Sequence, residues 1–244
     1  MNLIIIGFGG IGSRLMALAK VDKFDSIVIY DDDEYETKNI TRQGAASIVG
    51  RKKASIAQEA FTASAPHSPT VIGKAEKFSI NSPAWKKNEP SVVFCSADNS
   101  KARTYLWEWS HGVLHDAPRA PDIVIYGMNE LYNGEACLDI PGIPWWPNLA
   151  QELPNSFHQG ADEADRPHCS TLVEQGGEIA EQTAMINATV AGDMCWLYQA
   201  AQHILTNPHW VTDPTLEIPL PYMVTCAQLV KTTRSCHAPA APGI

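Results

Sequence analysis

Three things are scarce in this chain of 244 residues: long apolar runs, paired cysteines and positive charge. No stretch of about 18 or more apolar residues occurs, so no transmembrane helix and no membrane partner are predicted. The six cysteines (Cys95, Cys137, Cys169, Cys195, Cys226 and Cys236) are scattered without a CxxC pair. That spacing argues against a zinc ribbon and against a compact disulfide framework. A reduced, cytoplasmic protein is the simplest expectation. Lys and Arg number 18 against 27 Asp and Glu, a formal net charge of -9. Such a balance carries no overall footprint for nucleic acid, although a local positive site can still hold phosphates. The opening MNLIIIGFGG has no basic region and no cleavage site, and reads as a buried first strand rather than a secretion signal.

Hydrophobic residues make up 45%, ordinary for a folded domain of this length. Apolar runs at 2–6, 26–30, 70–74, 91–95 and 123–126 have the β-branched character of buried strands. Between them, 12–20, 52–64 and 100–111 read as helices. This alternation predicts a Rossmann-like α/β fold: a doubly wound, mostly parallel sheet with right-handed crossovers. We expect a nucleotide-binding core at 1–140, with a hairpin over 127–141, and a mobile crossover loop at 141–177. A C-terminal helix and strands at 178–236 complete the same domain, and 237–244 is expected to be a disordered tail. In the helix at 178–205, Ile179, Thr183, Ile186, Val190, Met194, Leu197 and Ala201 follow the spacing of a buried stripe. One or two strands are expected within 214–232.

The first strand runs into Gly7-Phe8-Gly9-Gly10-Ile11-Gly12 and then a helix. Glycines permit a tight turn and close approach to phosphate, and the helix start offers N–H donors. Asp31, ending the second strand, suits a ribose hydroxyl. Alone, this motif fits a nicotinamide or flavin dinucleotide as well as ATP.

Three further segments favour ATP. Asp31-Asp32-Asp33-Glu34-Tyr35-Glu36-Thr37-Lys38-Asn39-Ile40-Thr41-Arg42-Gln43 resembles the D-x-D-x-V-x-x-x-N-L-x-R-Q signature of the ThiF/MoeB/HesA and ubiquitin-activating superfamily. Gly50-Arg51-Lys52-Lys53-Ala54 resembles that superfamily's G-x-x-K-[AV], and Cys95-Ser96-Ala97-Asp98-Asn99 its strand-end [DC]-x-x-D-N. The resemblance implies ATP-dependent adenylation of the C-terminal carboxylate of a ubiquitin-like or sulfur-carrier protein, with a Gly-Gly tail expected on the carrier. By the same resemblance, Gly7, Gly9, Gly10, Gly12, Asp31, Asp33, Asn39, Arg42, Gln43, Lys53 and Asn99 would contact the nucleotide. Arg42 and Lys53 would bind its phosphates, and Asp98 would hold Mg²⁺.

Many members carry two CxxC pairs for zinc, which this chain lacks, so structural zinc is not expected. Members also commonly take an arginine from a helix ahead of the first strand, often across a homodimer. The first strand predicted here begins at Asn2, which leaves Arg14 or a partner chain for that task, or Arg14 as a surface residue. Cys169, in the expected crossover loop, either accepts the activated carrier or is a structural cysteine. Cys95, Cys137 and Cys195 are expected in the core. Trp145 and Trp146 are candidates for a docking surface or for burial under the loop. A nicotinamide-dependent oxidoreductase and a non-catalytic scaffold remain as alternatives. Calorimetric titration separates the first from adenylation: ATP is expected to bind and NADH is not, and binding of NADH alone would discard the ATP reading.

Overall fold

The computed structural model describes residues 1–19, 23–37, 48–64, 69–79, 89–114, 119–129, 133–144, 146–153, 157, 177–207, 223–227 and 233–237. Its strands are β1 (Asn2–Ile6), β2 (Ser26–Tyr30), β3 (Thr70–Lys74), β4 (Ser91–Cys95), β5 (Ile123–Asn129), β6 (Asn133–Asp139), β7 (Met223–Ala227) and β8 (Thr233–His237). Its helices include α1 (Gly10–Leu18), α2 (Lys53–Ser64), α3 (Ser100–Ser110), α4 (Leu149–Glu152) and α5 (Gly177–Thr206). All eight strands form one sheet in the order β3-β2-β1-β4-β5-β6-β7-β8. The first five pair in parallel, and β6, β7 and β8 continue antiparallel. The fold is therefore α/β with a mostly parallel doubly wound portion, and its order reverses between β1 and β4, the place where such sheets open a ligand crevice.

The central parallel strands β1, β2, β4 and β5 are apolar on both faces because both are covered. Leu3 and Ile5 of β1, Ile27 and Ile29 of β2 and Phe94 of β4 meet Leu15 of α1, Ala54 of α2 and Met194 of α5 on one side. Ile4, Ile6, Val93 and Tyr126 meet Leu106 and Trp109 of α3 on the other. Helix α5 has 30 residues, about 45 Å at 1.5 Å per residue, and lies along β5, β6 and α1. Of its predicted stripe, Ile186, Val190, Met194, Leu197 and Ala201 are buried. No helix among the described residues is long and apolar enough to cross a membrane.

Several expectations shift. Helix α1 starts at Gly10 rather than Gly12, with Gly9 as its N-cap. The crossover region contains α4, whose first turn Asn148 caps by accepting from the Ala150 N–H at 3.1 Å. The C-terminal strands lie at 223–227 and 233–237, so the second falls beyond the predicted 214–232 and reaches the first residue of the expected tail. Trp146 is no docking residue: it is 8% exposed, and its Nε1 donates to the Leu138 carbonyl at 2.8 Å. An indole is well buried when its one donor finds an acceptor. Trp145 lies outside the described residues. Cys95, Cys137 and Cys195 are free and buried, as expected.

Among the buried charged types of the described residues, Asp139 is the most enclosed. Asp139 is 1% exposed, with Oδ1 3.7 Å from Nε2 of His111, and its Oδ2 has no hydrogen-bond partner among the described residues. Burial pushes its pKa up to about 8. The folded protein therefore keeps a proton that the unfolded chain releases near pH 4, and this group's contribution to stability falls as pH rises from about 4 to about 8. The slope approaches about 1.4 kcal/mol per pH unit. Asp139→Asn keeps the shape without the titration. It is expected to flatten the fall in melting temperature between pH 5 and pH 8, and an unchanged slope would show that Asp139 titrates normally.

Candidate nucleotide site

Three neighbouring parallel strands deliver the candidate residues to one edge. In register, Ile6 of β1 faces Tyr30 of β2 on one side and Cys95 of β4 on the other. The chain therefore leaves the sheet at Gly7, Asp31 and Ser96 in a single row. Gly7 donates its N–H to the Tyr30 carbonyl at 2.9 Å and accepts from the Ser96 hydroxyl at 2.8 Å. Its φ is +86°, and a Cβ there would sit 2.8 Å from the Ala97 nitrogen. Glycine is required on both counts.

The other glycines divide the work of the loop. A Cβ on Gly12 would meet the Gly7 carbonyl oxygen at 2.1 Å, so Gly12 lets α1 close onto its own turn. A Cβ on Gly10 would meet Nδ2 of Asn187 at 2.1 Å. At Gly9 nothing lies within 4 Å. Gly9 is thus the member of the loop that faces open space, at the start of a helix whose first N–H groups point outward.

Asp31 is 8% exposed. Its Oδ2 accepts the Phe8 N–H at 2.5 Å and its Oδ1 the Asp33 N–H at 2.9 Å. Burial raises its pKa to about 6, opposed first by the charge of Lys53 and then by the Phe8 N–H. At neutral pH it is ionised. Each oxygen has a second lone pair, which suits a hydroxyl ligand. Lys53, the first residue of α2, is 6% exposed, and its Nζ lies 2.8 Å from Oδ2 of Asp33. Its N–H donates to the Asp33 carbonyl at 3.0 Å, and Glu34 and Lys52 form a bridge beside it. The segment after β2 and the start of α2 are therefore joined, which carries an otherwise buried ammonium to the strand ends.

Asp98 is exposed on the turn after β4. Asn99 caps α3, its Oδ1 accepting the Ala102 N–H at 2.7 Å, a bond worth about 1 kcal/mol. The buried Arg103 donates to the Ala97 carbonyl at 2.8 Å and anchors that turn from below. Among the described residues no group of three or more His, Cys, Asp and Glu side chains is placed to hold a metal ion. A single exposed carboxylate still fits Mg²⁺, which is typically bound by one or two carboxylates together with substrate phosphates. The structure joins Asp31, Asp33 and Lys53 to the Phe8 N–H in one contact network, and Gly7 packs against the Ser96–Ala97 turn that leads to Asp98. Asn39, Arg42, Gln43 and Cys169 lie outside the described residues. Arg14 is exposed on α1. Sequence reasoning missed Ser96, Arg103 and Asn187; the last alone left a signal, an amide inside an apolar stripe.

The ThiF family profile matches residues 1–141. The chain belongs to the ThiF family. The matched ThiF region contains every described strand-end residue of the row above. Similar solved structures include E. coli MccB, at 15% identity over 98% of this chain and 63% of that one, with a TM-score of 0.59. E. coli MccB with ATP aligns at 13% identity over 98% and 64%, with a TM-score of 0.54. PaaA aligns at 15% over 97% and 64%, with a TM-score of 0.55. At such identities these structures show the shared fold, and this ThiF-family chain spans less than two thirds of their length. No curated protein matches the chain at a significant level.

The glycines yield a separable test. Gly9→Ala is expected to cost within about 1 kcal/mol of stability, as at an ordinary surface site, yet to weaken ATP binding at least tenfold. Gly12→Ala is expected to lower the melting temperature sharply, because backbone must move. Equal melting temperatures for the two variants would contradict the loop packing.

Proposed function

We propose that this ThiF-family protein uses ATP to adenylate the C-terminal carboxylate of a protein or peptide. The observation that carries the proposal is Lys53, an ammonium held 2.8 Å from Asp33 at the strand ends, beside a glycine loop whose Gly9 opens outward. An oxidoreductase on this fold has no task for that ammonium. MccB solved with ATP and MccB solved with MccA support a reaction that brings a nucleotide and a second ligand together on this fold.

The chemistry asks little of a general base. The carboxylate oxygen attacks the α-phosphorus, the bond to the bridging oxygen breaks, and pyrophosphate leaves with the negative charge. Fixed positive charge and N–H donors stabilise that change best. In this reading Asp31 accepts from the ribose, the glycine loop gives N–H groups to phosphate, and Lys53 exchanges Asp33 for phosphate oxygens. Arg42, Asn39 and Gln43 add contacts from the segment between β2 and α2. Asn99 acts mainly by fixing the turn that bears Asp98. Asp98 would hold Mg²⁺, which when bound would supply additional positive charge at the phosphates. The carrier is a ubiquitin-like or sulfur-carrier protein with a Gly-Gly end, a tail without side chains that threads to the nucleotide. Transfer to Cys169, whose thiolate attacks the acyl-adenylate carbonyl to form a thioester as AMP leaves, together with a homodimer and a cytoplasmic location, completes the proposal.

ATP–pyrophosphate exchange tests it, with a Gly-Gly-ending protein encoded by a neighbouring short reading frame as substrate. Exchange is expected to require Mg²⁺, to fall at least a hundredfold in Lys53→Ala, and to vanish in Asp98→Ala. Full exchange by Asp98→Ala would remove the metal assignment, and exchange insensitive to Lys53 would remove the phosphate-binding role.

A further inference from the structure

Two polar side chains among the described residues of α5 are buried, Asn187 and Asp193, and Asn187 lies within the apolar stripe that seats the helix. Ile186, Val190, Ala191, Met194 and Leu197 are buried, and Asn187 among them is 3% exposed. Leucine would bury there without a polar cost; an amide buried in such a stripe needs a partner. Its partner is Asn129 at the end of β5, whose Nδ2 donates to Oδ1 of Asn187 at 2.6 Å. That bond fixes the carboxamide's orientation and turns Nδ2 toward α1. The space where Gly10 would carry a Cβ is occupied by that nitrogen, 2.1 Å away, and by Cγ at 2.7 Å. The contact falls on the first residue of α1, within the glycine loop and one position from Gly9, which faces open space.

Lower down, α5 is fixed just as closely. A Cβ on Gly127 of β5 would meet Sδ of Met194 at 2.2 Å and Cγ1 of Val190 at 3.2 Å. The helix cannot slide away from the sheet without losing this packing, so Asn187 is a fixed post against which the loop rests. Two side chains from outside the glycine motif, one on β5 and one on α5, thus determine where the first turn of α1 sits.

We propose that Asn187, oriented by Asn129, is a positioning residue of the nucleotide site: it holds Gly10, and through it the loop's N–H donors, in the place where phosphate is bound. The proposal rests on the ATP reading given above. A side chain that merely fills space and one that positions phosphate donors rank substitutions differently. Asn187→Asp is close to isosteric and keeps the acceptor for Asn129, so a packing role ranks it above Asn187→Ala in the ATP affinity of the folded protein, whatever the buried charge costs in melting temperature. A positioning role next to phosphate ranks it below, because a carboxylate then faces the loop.

The test is calorimetric titration of ATP with Mg²⁺ into the full-length protein and its variants, with melting temperatures measured alongside. The expected result is binding by the unaltered protein, about tenfold weaker binding by Asn187→Ala, and still weaker binding by Asn187→Asp. Asn129→Ala leaves the helix stripe intact and is expected to lose about fivefold; it carries the test if neither Asn187 variant folds. ATP affinity within twofold of the unaltered protein in the folded variants, or Asp binding better than Ala, overturns the positioning role while leaving the ATP reading intact. Failure of the unaltered protein to bind ATP overturns both.

Discussion

The site depends on one buried carboxylate. Asp31 stands at the end of β2, yet its oxygens hold the Phe8 N–H of the loop after β1 and the Asp33 N–H of its own turn. It therefore ties two adjacent strand ends to the segment that presents Asp33 to Lys53. Burying a carboxylate is costly, and two backbone donors with a nearby ammonium offset part of that cost. They do not offset all of it, since its pKa stays near 6. The residual penalty falls on a group that still has room to accept from a ligand.

From that tie the remaining geometry follows outward. Ser96 clamps the Gly7 carbonyl from β4, and Arg103 holds the next turn through the Ala97 carbonyl. The long helix α5 closes the other side by pressing on Gly10 and Gly127. The second half of the chain is thus part of the site's foundation, although the family match ends at residue 141. The antiparallel strands β6 to β8 widen the sheet beyond the parallel portion.

Much of the parallel half was legible because a strand covered on both faces must be apolar throughout. Runs such as LIII and SVVFC announce themselves without any neighbour. The third strand, β3, lies half-exposed at the sheet edge, and only its short Val71–Ile72 pair gave a signal. Trp146 was not legible: its burial depends on the Leu138 carbonyl, eight residues away, being aimed at the indole. The second C-terminal strand, TRSCH, has no apolar run, and its pairing with β7 decides its conformation. Lys53 was legible as a candidate from its motif, but its burial depends on the turn after β2 folding over α2. Asn99 was read as a nucleotide contact, and the geometry shows it capping α3.

By itself, the sequence determined the class of fold, the glycine turn and the residue types gathered around it, because these follow from short-range periodicity and from spacing along one strand-turn-helix unit. Tertiary structure alone decided which glycine faces open space, which carboxylate is buried and that an amide from α5 rests on the loop. Those outcomes depend on contacts between segments as far apart as Gly10 and Asn187, and no local pattern records which distant atom will occupy a given few ångströms of space.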